Sequence, residues 1–111
     1  MQENNKIART EVYPAGLREL TRTFYKRYGL PVAIVEGGYP TRDDDEKIEY
    51  MLEHLKELND AINEDKVNVI GYNWWCAVHS YEWDYNYKPF FALIDVEADE
   101  KDVGGYIDLV G

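Results

Sequence analysis

Residues 30–38 read LPVAIVEGG, a short apolar run that ends abruptly at a glutamate and two glycines. Nearly continuous apolar runs of this length are typical of strands that are buried on both faces, as in parallel sheets. The run predicts a strand over Leu30–Val35. The stretch VNVIGYNWW predicts a second strand over Val67–Trp75, and a third is predicted over Phe90–Val96.

Helices are predicted on both sides of the first strand. Pro14 suits the first turn of one helix, where its missing N–H costs nothing, and Gly29 ends that helix as a C-terminal cap. The second helix is predicted over Asp44–Asn63. The acidic residues 43–46 at its start suit the positive end of the helix dipole better than a calcium loop. Six apolar residues at helical spacing form a stripe that we expect to be buried. They are Ile48, Met51, Leu52, Leu55, Leu58 and Ile62.

Helices that alternate with strands predict an α/β fold in which a right-handed crossover joins parallel strands. We interpret residues 1–111 as one unit, with a polar arm over 1–11 and an acidic tail over 97–111. A complete eight-stranded α/β barrel takes about 200 residues or more. These 111 residues can therefore form only part of such a barrel.

The composition excludes several kinds of partner. Twelve basic and 22 acidic residues give a net charge of −10, which repels nucleic acid and anionic membrane surfaces. The polar N-terminal residues contain no apolar segment typical of a signal peptide, which favours a cytoplasmic location. A single cysteine, Cys76, forbids an intrachain disulfide, and neither a metal site nor a cofactor is predicted. His54 is expected at the surface or boundary of the second helix.

Two groups of residues could carry chemistry. Glu36 follows a predicted strand at its carboxyl end, where parallel α/β folds place reactive groups, although from position alone a role in capping the loop or the following helix is favoured. The stretch 72–91 contains nine of the 16 aromatic residues together with Glu82. Rings beside carboxylates suit a sugar, because rings stack on its C–H faces and carboxylates accept its hydroxyl protons. The alternative is a small aromatic core or a surface that a partner buries.

Several motifs occur together in a fixed order over roughly Val12 to Val96. The matching stretches are YPAGL at 13–17, RYG at 27–29, VEGG at 35–38, YMLEHL at 50–55, VNVIGY at 67–72, WC at 75–76 and HSYEW at 79–83. In this order and spacing the chain resembles the C-terminal part of glycoside hydrolase family 1, which contains β-glucosidases and β-galactosidases. It departs from the family pattern at Gly37, where the family has Asn, and at His79–Ser80, where the family has Asp-Asn.

The resemblance implies a partial (β/α)8 barrel, corresponding to the segment around the seventh and eighth strands. It places Glu36 at the catalytic nucleophile of a retaining β-glycosidase. It places Trp75, Glu82 and Trp83 in the subsite that binds the non-reducing sugar. The family's acid/base carboxylate belongs to an Asn-Glu-Pro segment that this sequence does not contain. The expected partners are a β-glycoside and either a second copy of the chain or a complementary barrel fragment.

Three interpretations remain open at this point. The chain is a fragment of a β-glycosidase, a catalytically inactive α/β module that binds carbohydrate or protein, or a designed or recombined barrel segment. Because general acid catalysis alone is worth about 10²–10⁴ in rate, we expect the isolated chain to be inactive.

Overall fold

The computed structural model describes residues 11–97 and 108–109. Its elements are α1 (Pro14–Tyr28), β1 (Val32–Gly37), α2 (Asp44–Asn63), β2 (Val69–Trp74), β3 (Val96–Glu97) and β4 (Asp108–Leu109). β1 and β2 form one two-stranded sheet, and β3 and β4 form another. Nearly all of the predicted polar arm and most of the acidic tail lie outside the described residues. Within the described residues, no helix is long and apolar enough to cross a membrane.

The predicted parallel crossover is confirmed. β1 and β2 run parallel, α2 connects them, and their register pairs Ile34 with Tyr72 and Gly37 with Trp74. Both predicted strands exist, but β1 begins and ends two residues later than expected. The carboxyl ends of the two strands therefore lie side by side at one edge of the sheet.

The start of α2 and the end of α1 lie where the sequence predicts them. The Asp43 carboxylate accepts hydrogen bonds from the backbone N–H groups of Asp45 (2.9 Å) and Glu46 (3.2 Å), so it caps α2. This confirms that the acidic run begins a helix. Gly29, just after α1, adopts a left-handed conformation with φ 65°, and its N–H donates to the Tyr25 carbonyl. That conformation favours glycine because a side chain there would clash with the backbone.

The predicted buried stripe of α2 is largely wrong. Leu58 is buried, but Leu52 is 61% exposed and Ile48 is also exposed. The buried face instead carries Lys47 and His54, so the expectation that His54 lies at the surface is wrong as well. The helix buries the side that faces the sheet and α1, and the described elements leave Ile48, Leu52, Leu55 and Ile62 of the apolar stripe exposed.

The sheet is likewise covered on one side. Val35 is 76% exposed and Ile70 is 66% exposed, although strands this apolar are expected to be buried on both faces. The described residues supply no second layer against them. On the helical side, Arg18 of α1 forms ion pairs with Glu64 (2.8 Å) and Asp65 (2.7 Å) just beyond α2, which join α1 to the C-terminal end of α2.

The predicted strand over Phe90–Val96 is wrong, since only Val96–Glu97 forms a strand, antiparallel to Asp108–Leu109. The backbone groups before it bond to loops and side chains instead of to a neighbouring strand. The Leu93 N–H donates to the Cys76 carbonyl at 3.1 Å, and the Phe91 carbonyl accepts from the Trp74 indole at 3.0 Å. An apolar run predicts burial, but it does not show which groups satisfy its backbone.

Candidate functional site

The sheet brings Glu36 and Trp75 to the same edge. Gly37 pairs with Trp74, and the Trp75 N–H donates to the Gly37 carbonyl at 2.6 Å. Between Ile34 and Gly37 the register shifts, so β1 contains one residue more than the facing part of β2. Shifts of this kind are typical of β-bulges, which redirect side chains next to active sites. Glu36 is exposed, and within 11–97 no hydrogen bond or ion pair engages its carboxylate.

Gly38 allows the two strand ends to approach closely. A Cβ atom at this position would overlap the Trp75 carbonyl oxygen and would lie 3.2 Å from the Phe91 ring. A side chain here would push the end of β1 away from Trp75. The second glycine after Glu36 therefore has a structural reason, which is the close packing of one backbone on another.

Glu82 is held next to Trp75. Its Oε1 atom accepts hydrogen bonds from the Trp75 indole N–H (3.3 Å) and from the Ser80 hydroxyl (3.1 Å). A turn supports this carboxylate, because the Glu82 N–H donates to the Asn86 carbonyl at 2.7 Å. Both side-chain bonds use Oε1, so Oε2 carries no bond to any described residue. The peptide bond between Trp75 and Cys76 is cis.

Trp83 differs from the other three predicted site residues. It is 91% exposed, and it makes no ring contact or hydrogen bond with the described part of the chain. Trp75 is thus hydrogen-bonded to Glu82 directly, and its backbone is hydrogen-bonded to Gly37, the residue after Glu36. Trp83 is exposed to solvent. Other rings of the aromatic tract pack against one another away from the predicted site residues. His79 and Tyr81 both contact the Tyr87 ring edge-on, so these three rings form a small cluster.

Sequence reasoning missed a second group of aromatic residues beside Glu36. A cavity of about 340 Å³ is lined by residues that include Glu36, Tyr50, His54 and Tyr72. The Tyr72 hydroxyl is buried without a partner among the described residues, and burial raises its pKa. His54 stacks on Tyr50 with ring centroids 3.9 Å apart. Spacing of four residues on one helix face was the available signal for this pair.

Ser80 and Lys47 were also missed. Ser80 lies two residues before Glu82, and its hydroxyl donates to the Glu82 carboxylate at 3.1 Å. Lys47 lies in a helix where charged residues are normally exposed. Burial lowers its pKa, and burial also raises the pKa of the Cys76 thiol. A raised pKa keeps more of the thiol in its protonated, less nucleophilic form.

The described elements follow the order helix, strand, crossover helix and second parallel strand. This order, with a carboxylate and a tryptophan at the strand ends, defines an α/β-barrel-related fold. The sequence profile of Glycosyl hydrolase family 1 matches residues 2–105. The chain therefore belongs to this family.

Similar proteins are β-glycosidases. Beta-glucosidase 20 of Arabidopsis thaliana is 36% identical over 104 residues, which cover 82% of this chain and 19% of that protein. Myrosinase 1 of Brevicoryne brassicae is 38% identical over 91 residues, with 78% and 20% covered. The solved β-glycosidase from Pyrococcus horikoshii superposes with a TM-score of 0.74 at 37% identity, covering 78% of this chain and 20% of that one. The chain thus spans about a fifth of the length of these relatives.

Proposed function

We propose that this chain supplies the nucleophile and part of the sugar subsite of a retaining β-glycosidase that hydrolyses β-glucosides or β-galactosides. The observation that carries the proposal is the shared edge, where Glu36 ends one parallel strand and the Trp75–Glu82 pair follows the other. Family membership and the names of the relatives support the same reaction class.

Each residue has a role that fits its surroundings. Glu36 is exposed and bonds to no described residue, so its carboxylate can attack the anomeric carbon of a sugar as the glycosidic bond to the leaving group breaks, which forms the covalent intermediate of a retaining enzyme. Glu82 has Oε2 available to accept a hydrogen bond from a sugar hydroxyl, while Trp75 and Ser80 hold Oε1. The exposed ring of Trp83 offers a face on which a pyranose can stack.

A retaining enzyme needs a second carboxyl group about 5–5.5 Å from the nucleophile, which protonates the leaving group. Glu82 suits that role poorly, because its Oε1 already acts as a hydrogen-bond acceptor twice. We therefore assign the acid/base carboxyl to another part of the barrel, in keeping with a segment that corresponds to the seventh and eighth strands.

The uncovered surfaces support a barrel partner. Among the described residues, β1 and β2 are each paired on one side only, and Val35 and Ile70 are exposed on the sheet. Unpaired strand edges readily accept further strands. We propose that the remaining strands of a barrel cover them, whether on the same polypeptide or on a complementary fragment, and that self-association is the competing outcome.

Binding without catalysis is the second candidate function. It is favoured by the exposed Trp83 ring, which offers a stacking face, and by the two hydrogen bonds that already engage Oε1 of Glu82, the other carboxylate of the predicted site. A titration of the chain with methyl β-glucoside, followed by tryptophan fluorescence, detects binding whether or not hydrolysis occurs.

The decisive experiment separates the isolated chain from the completed barrel. Alone, the chain is expected to hydrolyse aryl β-glucosides no faster than its Glu36→Gln variant. In a chimera, residues 12–96 replace the aligned segment of the Pyrococcus horikoshii β-glycosidase, and we expect turnover that Glu36→Gln lowers on the order of 10³-fold or more. Glu53→Gln on the exposed surface of α2 is the matched control. An active chimera that keeps its rate after Glu36→Gln would remove Glu36 from the mechanism.

A further inference from the structure

We propose that Lys47 is a positioning residue for the sugar subsite, which it holds in place through residues 89–94. This inference rests on the proposed function, because it concerns how the Trp75–Glu82 pair is fixed. We call residues 89–94 the return segment, since they bring the chain from the aromatic tract back to α2 and the end of β2.

Lys47 is buried in an unusual setting for a lysine on a helix. It is 4% exposed, and its Nζ donates a hydrogen bond to the Ala92 carbonyl at 2.6 Å. Nζ also lies 4.6 Å from the centroid of the Phe90 ring, and the Arg42 guanidinium carbon lies 4.3 Å from the same centroid. Burying a cation is costly unless such partners compensate it. Lys47 and Arg42, in and just before the first turn of α2, therefore contact the return segment at Phe90 and Ala92.

A backbone bond adds a third attachment beside the lysine. The Thr41 N–H, just before α2, donates to the Phe90 carbonyl at 3.0 Å. Thr41 is itself buried, and its hydroxyl donates to the Glu46 carboxylate at 2.9 Å. The return segment is thus fixed to the rigid N-terminal turn of a capped helix.

The opposite side of the return segment holds the residues around Trp75. The Trp74 indole donates to the Phe91 carbonyl at 3.0 Å, and the Leu93 and Ile94 N–H groups donate to the carbonyls of Cys76 (3.1 Å) and Ala77 (2.9 Å). Trp75 is therefore flanked on both sides by residues bonded to this segment. Lys47 does not touch Glu82 or Trp75, so it acts on them through the segment.

Lys47→Met in the full chain tests this inference, because methionine keeps the length of the side chain and removes the cation and the donor. The Ala92 carbonyl then loses its donor, and an unsatisfied buried carbonyl costs enough to raise local opening about 10-fold to 100-fold. We expect amide hydrogen exchange of Leu93 and Ile94 to accelerate by that factor, while the Leu58 amide in the middle of α2 keeps its rate. Lys47→Arg should restore most of the protection.

Indole NMR signals report on the subsite itself. With ¹⁵N-labelled tryptophan, Trp74 and Trp75 report bonded N–H groups, and Trp83 reports an exposed one. In Lys47→Met we expect the indole N–H chemical shifts of Trp74 and Trp75 to move toward the shift of the exposed Trp83 indole. The control is Lys56→Met, which removes an exposed lysine from the same helix and should move none of them.

The outcomes separate the two proposals. If the wild-type chain binds methyl β-glucoside, Lys47→Met should weaken binding, and Lys47→Arg should recover it. If the wild-type chain binds no sugar, the proposed function loses its support in the isolated chain, and the exchange and indole measurements still decide the role of Lys47. Unchanged Leu93 exchange and indole signals in Lys47→Met overturn the inference. Equal loss of protection at Leu58 also overturns it, because Lys47 would then support the whole fold.

Discussion

Gly38→Ala is expected to destabilise the chain through the contact that joins the two strand ends. The added Cβ would overlap the Trp75 carbonyl oxygen and approach the Phe91 ring to 3.2 Å. The overlap is with backbone, so a change of side-chain rotamer cannot relieve it. Overpacking of this kind costs about 1–3 kcal/mol. Each kcal/mol lowers the melting temperature of a domain of this size by about 4–8 °C.

Gly71→Ala is the matched control for this prediction. Gly38 lies just after β1 and Gly71 lies within β2, but a Cβ at Gly71 would meet nothing within 4 Å. Replacing an unstrained glycine by alanine stabilises by about 0.4–1 kcal/mol, because the unfolded chain loses freedom. Urea unfolding followed by circular dichroism should therefore give shifts of opposite sign for the two variants. Equal stability of Gly38→Ala and the wild type would refute the close packing of the strand ends.

Two further predictions follow from single polar groups. Tyr72→Phe removes a buried hydroxyl that has no partner among the described residues, so thermal unfolding should show a gain of about 1 kcal/mol, whereas a loss would reveal a bonded hydroxyl. The hydrogen bond from Arg18 holds the pKa of Asp65 below its ordinary value of 3.8. The unfolded state therefore binds the Asp65 proton first, and stability should fall as the pH drops below about 4. Asp65→Asn should flatten that dependence in urea unfolding at pH 3 and pH 6, and an unchanged slope would contradict the role of the ion pair.

The local rules of helix and strand formation were enough to predict most elements. Asp43 and Gly29 mark helix ends by chemistry that acts within a few residues, and both predictions are confirmed. The buried face of α2 was not predictable in the same way. Its apolar stripe, which includes Ile48 and Leu52, has the right spacing, but burial depends on which neighbours are present. The polar residue Lys47 is buried because distant residues supply its partners.

In the candidate site, too, features set by the local sequence were predictable, and features set by distant residues were not. The position of Glu36 at a strand end followed from the apolar run before it, and the structure places it there. The structure of residues 90–96 depends instead on hydrogen bonds from Trp74 and Lys47, which lie 17 and 45 residues from their partners in the sequence. Hydrogen bonds between residues far apart in the chain leave no periodic pattern in the sequence.

The register shift in β1 has a consequence for how such a site can be gained or lost. Between Ile34 and Gly37, β1 has one residue more than the facing part of β2. Glu36 nevertheless lines the same cavity as Ile34, two residues before it. Because successive side chains of a strand point to opposite faces, adding or removing one residue between Ile34 and Glu36 is expected to turn the carboxylate away from this cavity. A change of length at this strand end would then alter the cavity even where Glu36 itself is retained.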